Sequence, residues 1–176
     1  MLYVVDVSGV SHVDNIMYVV CRESSTIRLY NTDSQSPLNV INVDGMNNPR
    51  DIVVCRDDRQ LYITDWERCI WRVSVDDRSY VKWLTTDESF HCHKLSLTSR
   101  RLLVTSYKPL GLHQYNTTNR QLLRVVSMPQ YMRSLYHGVE TTRGTFVVGH
   151  CGTAENEWQC AVSELFSFVN YQHVTQ

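Results

Sequence analysis

The chain has 176 residues, 43% of them hydrophobic and 20% charged, with a formal net charge of −1. That length fits one domain or a piece of one. The near-neutral balance gives no general electrostatic pull toward nucleic acid, an anionic membrane or an acidic substrate, and no run approaches the ~18 consecutive apolar residues of a membrane-spanning helix.

The segment Met1–Val10 reads as strand. It lacks the basic start and apolar stretch of a secretion signal, so the reading expects a truncated chain and a cytoplasmic protein with no membrane partner. Apolar runs follow at Tyr18–Cys21, Ile27–Tyr30 and Leu38–Val43. From Pro49 to Leu84 the pattern is clearest: Asp51–Cys55, Gln60–Thr64, Cys69–Val73 and Tyr80–Leu84. Each run is rich in β-branched or aromatic residues, and charged turn text separates it from the next, as in a small up-and-down antiparallel sheet. Further runs occur at Lys94–Thr98, Leu103–Ser106, Leu112–Tyr115, Leu122–Met128, Gly138–Thr141, Phe146–Gly149 and Ala161–Leu165, with an outer run at Phe168–Val174.

These runs repeat. Tyr18, Tyr62, Leu103 and Phe146 open equivalent tetrads, spaced by 44, 41 and 43 residues. A period of that length with four strands per repeat is the signature of β-propeller blades. The fold class predicted is therefore all-β: a propeller of about four blades, each of four antiparallel strands, over residues 1–46, 47–88, 89–134 and 135–176. The strands are A to D from the channel outwards. Runs such as Ile52-Val-Val-Cys55 are apolar on both pleat faces, as expected for a blade sandwiched between two others.

Blades of this length usually close as six or seven, so the reading expects an incomplete six-bladed ring. Its end blades would expose whole apolar faces and invite self-association. The six cysteines include no C-x-x-C and sit in apolar strand text. They read as buried free thiols, with some disulfides left open by the even count.

Leu61-Tyr-Ile-Thr-Asp65 resembles the Tyr-Trp-Thr-Asp strand of low-density-lipoprotein-receptor-type propellers. The longer pattern of Pro49-x-Asp-Ile-Val, Leu-Tyr-Ile-Thr-Asp and Ile70-Trp-Arg-Val73 resembles the NHL blade. Outside blade 2 the place of Asp65 is taken by Cys21, Ser106 and Gly149. The resemblance implies a six-bladed interaction platform. Some NHL propellers sit behind zinc modules in ubiquitin ligases, and no zinc module is encoded here. Others bind RNA through a basic face, which a net charge of −1 disfavours.

Strand order places the A–B and C–D turns on one face and the B–C turns and D–A connections on the other. The first face carries Asp57–Arg59 and Asp76–Arg78, which read as solvated turns. The second collects Arg22, Trp66, Arg68, Tyr107, Lys108, Tyr131, Arg133, His150 and Trp158. Aromatic residues and Arg on loops held by a rigid scaffold are the usual anchors of recognition, and the inserted loop Cys151–Gln159 is the longest B–C connection.

Asp51, His93 and His137 begin A strands at the channel mouth, with Glu140 deeper. They are the only candidates for a metal or an activated water, a set thin in the hard oxygen ligands that calcium prefers. His91-Cys92-His93 alternates along an extended segment, which sends Cys92 to the opposite side. No G-x-S-x-G, H-E-x-x-H or phosphate-binding loop is present.

The reading thus expects a non-catalytic module that presents its B–C and D–A face to a protein partner, without a cofactor. The alternatives are a cation-dependent hydrolase of the gluconolactonase or phosphotriesterase propeller kind, and a single-stranded RNA binder.

Overall fold

The computed structural model describes residues 6–86, 90–151 and 160–165. The chain folds into four antiparallel sheets with strictly consecutive strand order. Blade 1 is β1 (Val7–Val13), β2 (Ile16–Cys21), β3 (Thr26–Asn31) and β4 (Pro37–Asn42). Blade 2 is β5 (Asp51–Cys55), β6 (Gln60–Thr64), β7 (Cys69–Ser74) and β8 (Tyr80–Thr85). Blade 3 is β9 (His91–Thr98), β10 (Arg101–Lys108), β11 (Leu110–Asn116) and β12 (Leu122–Ser127). Blade 4 comprises β13 (Ser134–Glu140), β14 (Phe146–Cys151) and β15 (Cys160–Leu165); the outer run expected at Phe168–Val174 lies outside the described residues. Among the described residues no helix is long and apolar enough to cross a membrane.

The innermost strands β1, β5, β9 and β13 pack side by side in that order, so the four sheets form a four-bladed propeller arrangement. Single strands feed two cores at once. In β6, Leu61 and Ile63 point toward blade 1 and join a cluster with Tyr18, Val20, Ile27 and Trp71. The alternate residue Tyr62 joins Trp83, Leu95, Leu102 and Tyr115 in the cluster shared with blade 3. In β10 the same alternation sends Leu102 and Val104 to that second cluster and Leu103 to a third, with Leu112, Leu135, Phe146 and Val148. This is why the runs are apolar on both pleat faces. Fully burying each such side chain is worth about 1.5–3 kcal/mol relative to exposure, and a blade collects that gain only between neighbours.

The end blades keep one side open among the described residues. On blade 1 it carries Val7, Val10 and Val40; on blade 4, Val139 and the 76% exposed Val162. The A strands depart most from the sequence reading. Blade 1 takes Val7–Val13, while β9 starts at His91 and β13 at Ser134, each ahead of its apolar run. These early segments, His91-Cys-His93 and Ser134-Leu-Tyr-His137, mix polar with apolar residues, so hydrophobicity alone does not mark them.

Five cysteines, Cys21, Cys55, Cys69, Cys92 and Cys151, are free and buried, as expected for small hydrophobes in strands.

Candidate functional site

The A–B and C–D turns do share a face, and they are tied to one another. Arg59 donates to Asp76 at 2.7 Å and to Asp14 of blade 1 at 2.9 Å. Arg100 of blade 3 pairs with Asp58 at 3.2 Å. The Asp-Asp-Arg turns, read as merely solvated, therefore carry ion pairs from blade to blade. These are exposed pairs, worth about 0–1 kcal/mol each. A hollow of about 430 Å³ opens between blades 2 and 3 on this side, lined by Gln60, Tyr62, Arg72, Tyr80, Arg100 and Thr117 among others. Strand side chains of blade 2 (Gln60, Tyr62, Arg72, Tyr80) form one wall and turn residues of blade 3 (Arg100, Thr117) the other.

The opposite face holds a tighter cleft of about 200 Å³ at the blade 2–blade 3 junction. Its walls come from the D–A connection (Arg50), the B–C turn of blade 2 (Asp65, Trp66, Arg68), the start of β9 (His91, Cys92, His93) and the end of β10 (Tyr107). The turn at residues 65–68 is rigidly built. Asp65 accepts from the Cys69 N–H at 3.0 Å and from the Trp71 indole at 2.6 Å. The Arg68 carbonyl accepts from both the backbone and the hydroxyl of Thr86, and the Trp66 N–H donates to the Asn47 carbonyl at 3.0 Å. Arg68 itself sits in the left-handed region, at φ 65°.

With its backbone fixed, the turn presents the Trp66 ring, 56% exposed. The Arg50 guanidinium lies 4.0 Å over that ring, a contact of about 0.5–1 kcal/mol at an exposed site. Tyr107 stands on the other wall. Its hydroxyl meets His91 Nδ1 at 3.1 Å, and its ring contacts the imidazoles of both His91 and His93, at centroid distances of 5.0 and 6.0 Å.

The electrostatics are positive. Desolvation, helped by Arg68 and Lys108, pushes the His91 imidazole below its usual value. Desolvation, with Lys94 and Arg50, does the same to His93. Arg50 is itself pushed down, by partial burial and by Arg22. The one acid in the lining, Asp65, has its pKa raised by burial, and both of its oxygens are occupied. Burial pushes the Cys92 thiol up to about 12, which keeps it protonated and a poor nucleophile at neutral pH.

The structure thus brings Trp66, Arg68, Tyr107 and His93 into one place, with Lys108 next to Tyr107. Arg22 pairs with Asp6 at 3.2 Å. Tyr131 and Arg133 are exposed near blade 4. Trp158 and most of the inserted loop lie outside the described residues. His150 is corrected: it belongs to β14, is only 4% exposed, and bonds Ser163 through Nε2 at 2.9 Å. It therefore presents nothing to a partner. Arg50 was missed, although it ends a D–A connection and the face rule applied to every such connection would have caught it.

The four metal candidates do not form a ligand set. Asp51 is within electrostatic reach of both His93 and His137, but it accepts from the Leu95 N–H at 2.8 Å and pairs with Lys94 at 3.6 Å. Lys94 also donates to the carbonyls of Ser8 and Arg50, filling the place where a cation would sit. Glu140 is corrected: it points between blades 3 and 4, where Arg124, Gln114 and Arg101 hold it. Among the described residues no group of three or more His, Cys, Asp or Glu is placed to hold a metal ion.

No protein-family model and no curated protein matches the sequence. Among solved structures the chain is similar to hydrazine synthase from Kuenenia stuttgartiensis, with a TM-score of 0.70 and 13% identity, over 82% of this chain. The likeness is one of fold. The match spans 43% of the length of that chain, and at such low identity the blade arrangement is all that carries over.

Proposed function

We propose that this protein is a non-catalytic binding module that uses its B–C and D–A face, centred on the blade 2–blade 3 cleft, to hold a protein partner. The observation that carries the reading is the pair of exposed aromatics, Trp66 and Tyr107, on a backbone fixed by hydrogen bonds, with Arg50 stacked at 4.0 Å. Rigid aromatics with Arg are the residue types that dominate binding hot spots. Catalysis finds less support, because the acids it would use, Asp51 and Glu140, are both committed to cations and amides within the fold.

The test is comparative affinity capture with quantitative mass spectrometry. Proteins held by the wild type should be lost from Trp66→Ala and Tyr107→Ala, yet retained by Arg120→Glu on the opposite face. A capture profile indifferent to the first two substitutions overturns the reading.

A further inference from the structure

We infer that the blade 2–blade 3 cleft takes an acidic side chain, aspartate or glutamate, from an extended segment of the partner; this rests on the reading of that face as a protein-binding surface. Three cations surround the cleft: Arg50 and Arg68 in its lining, and Lys108, whose charge is felt at His91. Among the described residues none of the three is paired with a carboxylate, so three unneutralised cations converge on one hollow. Arg50 spends its guanidinium face on Trp66, which leaves its edge N–H groups free to donate. A planar guanidinium edge matches a carboxylate through two parallel hydrogen bonds.

Size narrows the class. A hollow of about 200 Å³ falls below the ~300–1,000 Å³ of small-molecule and cofactor pockets, so it suits one side chain with its backbone running across the rim. The half-exposed rings of Trp66 and Tyr107 then flank the inserted group as apolar walls.

Charge and stacking argue against RNA as the occupant. Single-stranded RNA needs a track of cations and open aromatic faces on which bases stack. Here one face of Trp66 is occupied by Arg50, and Tyr107 is engaged by His91 and His93.

The experiment is fluorescence anisotropy of the full 176-residue chain with a labelled hexaglutamate peptide as probe. A hexaglutamine peptide and a ten-nucleotide single-stranded RNA serve as comparisons. The expected result is saturable hexaglutamate binding that weakens with added salt and is at least tenfold weaker in Arg68→Asp and Arg50→Gln. Arg120→Glu should leave it unchanged, and hexaglutamine should not bind. Aspartate is chosen at position 68 because it tolerates the left-handed backbone there. Should that variant lose its cooperative melt, Lys108→Glu serves in its place, with the same loss expected.

Equal binding of hexaglutamine, or hexaglutamate binding untouched by these variants, overturns the inference. Tighter RNA binding lost in the same variants also overturns it and assigns the cleft to nucleic acid. If hexaglutamate fails to bind while Trp66→Ala still strips partners in the capture assay, the acidic specificity is wrong and the face stands. If both assays fail, both readings fall.

Discussion

The indole N–H of Trp71 donates to the Asp65 carboxylate at 2.6 Å, across the turn that displays Trp66 and Arg68. The other Asp65 oxygen takes the Cys69 N–H at 3.0 Å. One buried side chain thus closes the B–C turn of blade 2 and anchors the largest aromatic of the blade 1–blade 2 core. Blade 3 closes this corner differently: the Ser106 hydroxyl accepts from the Lys108 N–H at 3.2 Å. Asp65→Ala strands two buried donors, at about 1–3 kcal/mol each. The expected outcome is a lower urea midpoint, together with weakened partner capture because Trp66 loses its fixed backbone. Unchanged stability would contradict the role given to this pair.

The second prediction concerns the blade 3–blade 4 seam. The Glu140 carboxylate, 1% exposed, is held by Arg124, Arg101 and the Gln114 amide at 2.8 Å. Removing the carboxylate leaves the Gln114 amide unpaired and frees Arg124 and Arg101, whose side chains are 30% and 46% exposed and can hydrate, at about 1–3 kcal/mol. Glu140→Leu alone should therefore lower the thermal midpoint. Glu140→Leu with Arg124→Met should recover part of the loss, a double-mutant cycle readable by calorimetry.

Glu140 also shows where the sequence stops being legible. Blade 2 was readable to the residue in β5 and β6, because alternate apolar side chains fill two cores and charged turns bound each run. The inner strands were not. A register shift between Leu135 and His137 adds a residue to β13, and such a bulge reverses which side later residues face. Gly138 and Glu140 consequently turn into the blade interface. His150 failed for a related reason: β14 runs to Cys151, so a residue read as loop is a core strand position. The cleft was half legible. Trp66, Arg68 and Tyr107 follow from face topology, but the stacking of Arg50 on Trp66 depends on a contact between segments that sequence does not measure.

A third prediction is acid sensitivity from His113. This imidazole is 9% exposed, packs against Phe90 at 4.2 Å between centroids, and is pushed down to about 4 by burial alone. Unfolded, it returns to about 6.5. Between those values the unfolded chain binds the extra proton, so stability falls as pH drops through that window and the loss is complete below about 4. The size is about 3 kcal/mol at 1.36 kcal/mol per unit. His93 and His137, also pushed down by desolvation, act in the same direction, while Asp65, raised by burial, acts in the opposite one. Thermal melts from pH 7 to 4 should show a falling midpoint, and His113→Leu should flatten the slope. An equally steep slope in that variant would remove His113 as its cause.

A fourth prediction is association through the end blades. Among the described residues, Val7, Val10 and Val40 on one side and Val139 and Val162 on the other form open apolar sheet faces, with Val162 at 76% exposure. The two faces are different surfaces, so a contact between them is head-to-tail and grows with concentration instead of closing as a symmetric dimer. Sedimentation velocity on the 176-residue chain should show a weight-average coefficient that rises with concentration. Val10→Lys combined with Val162→Lys should bring it down to a constant monomer value.

The last prediction tests the inner ring, where β1, β5 and β9 meet. A Cβ placed on Gly9 would lie 2.9 Å from the Ile52 nitrogen and 3.0 Å from the Asp51 Cα, both backbone atoms that cannot swing aside. On its far side Asp51 is bonded to the Leu95 N–H at 2.8 Å, and Lys94 reaches back to the Ser8 carbonyl at 3.1 Å. A methyl group at Gly9 therefore pushes β5 away from β1 and loosens hydrogen bonds that join three blades. Gly9→Ala should cost about 1–3 kcal/mol, the range for overpacking, with broadened thermal unfolding. Calcium should leave the midpoint of wild type and variant alike unmoved, because Lys94 already occupies the position between Asp51 and the carbonyls of Ser8 and Arg50. A calcium-dependent rise in the wild-type midpoint would instead mean that Lys94 yields its place, and would reopen the hydrolase reading.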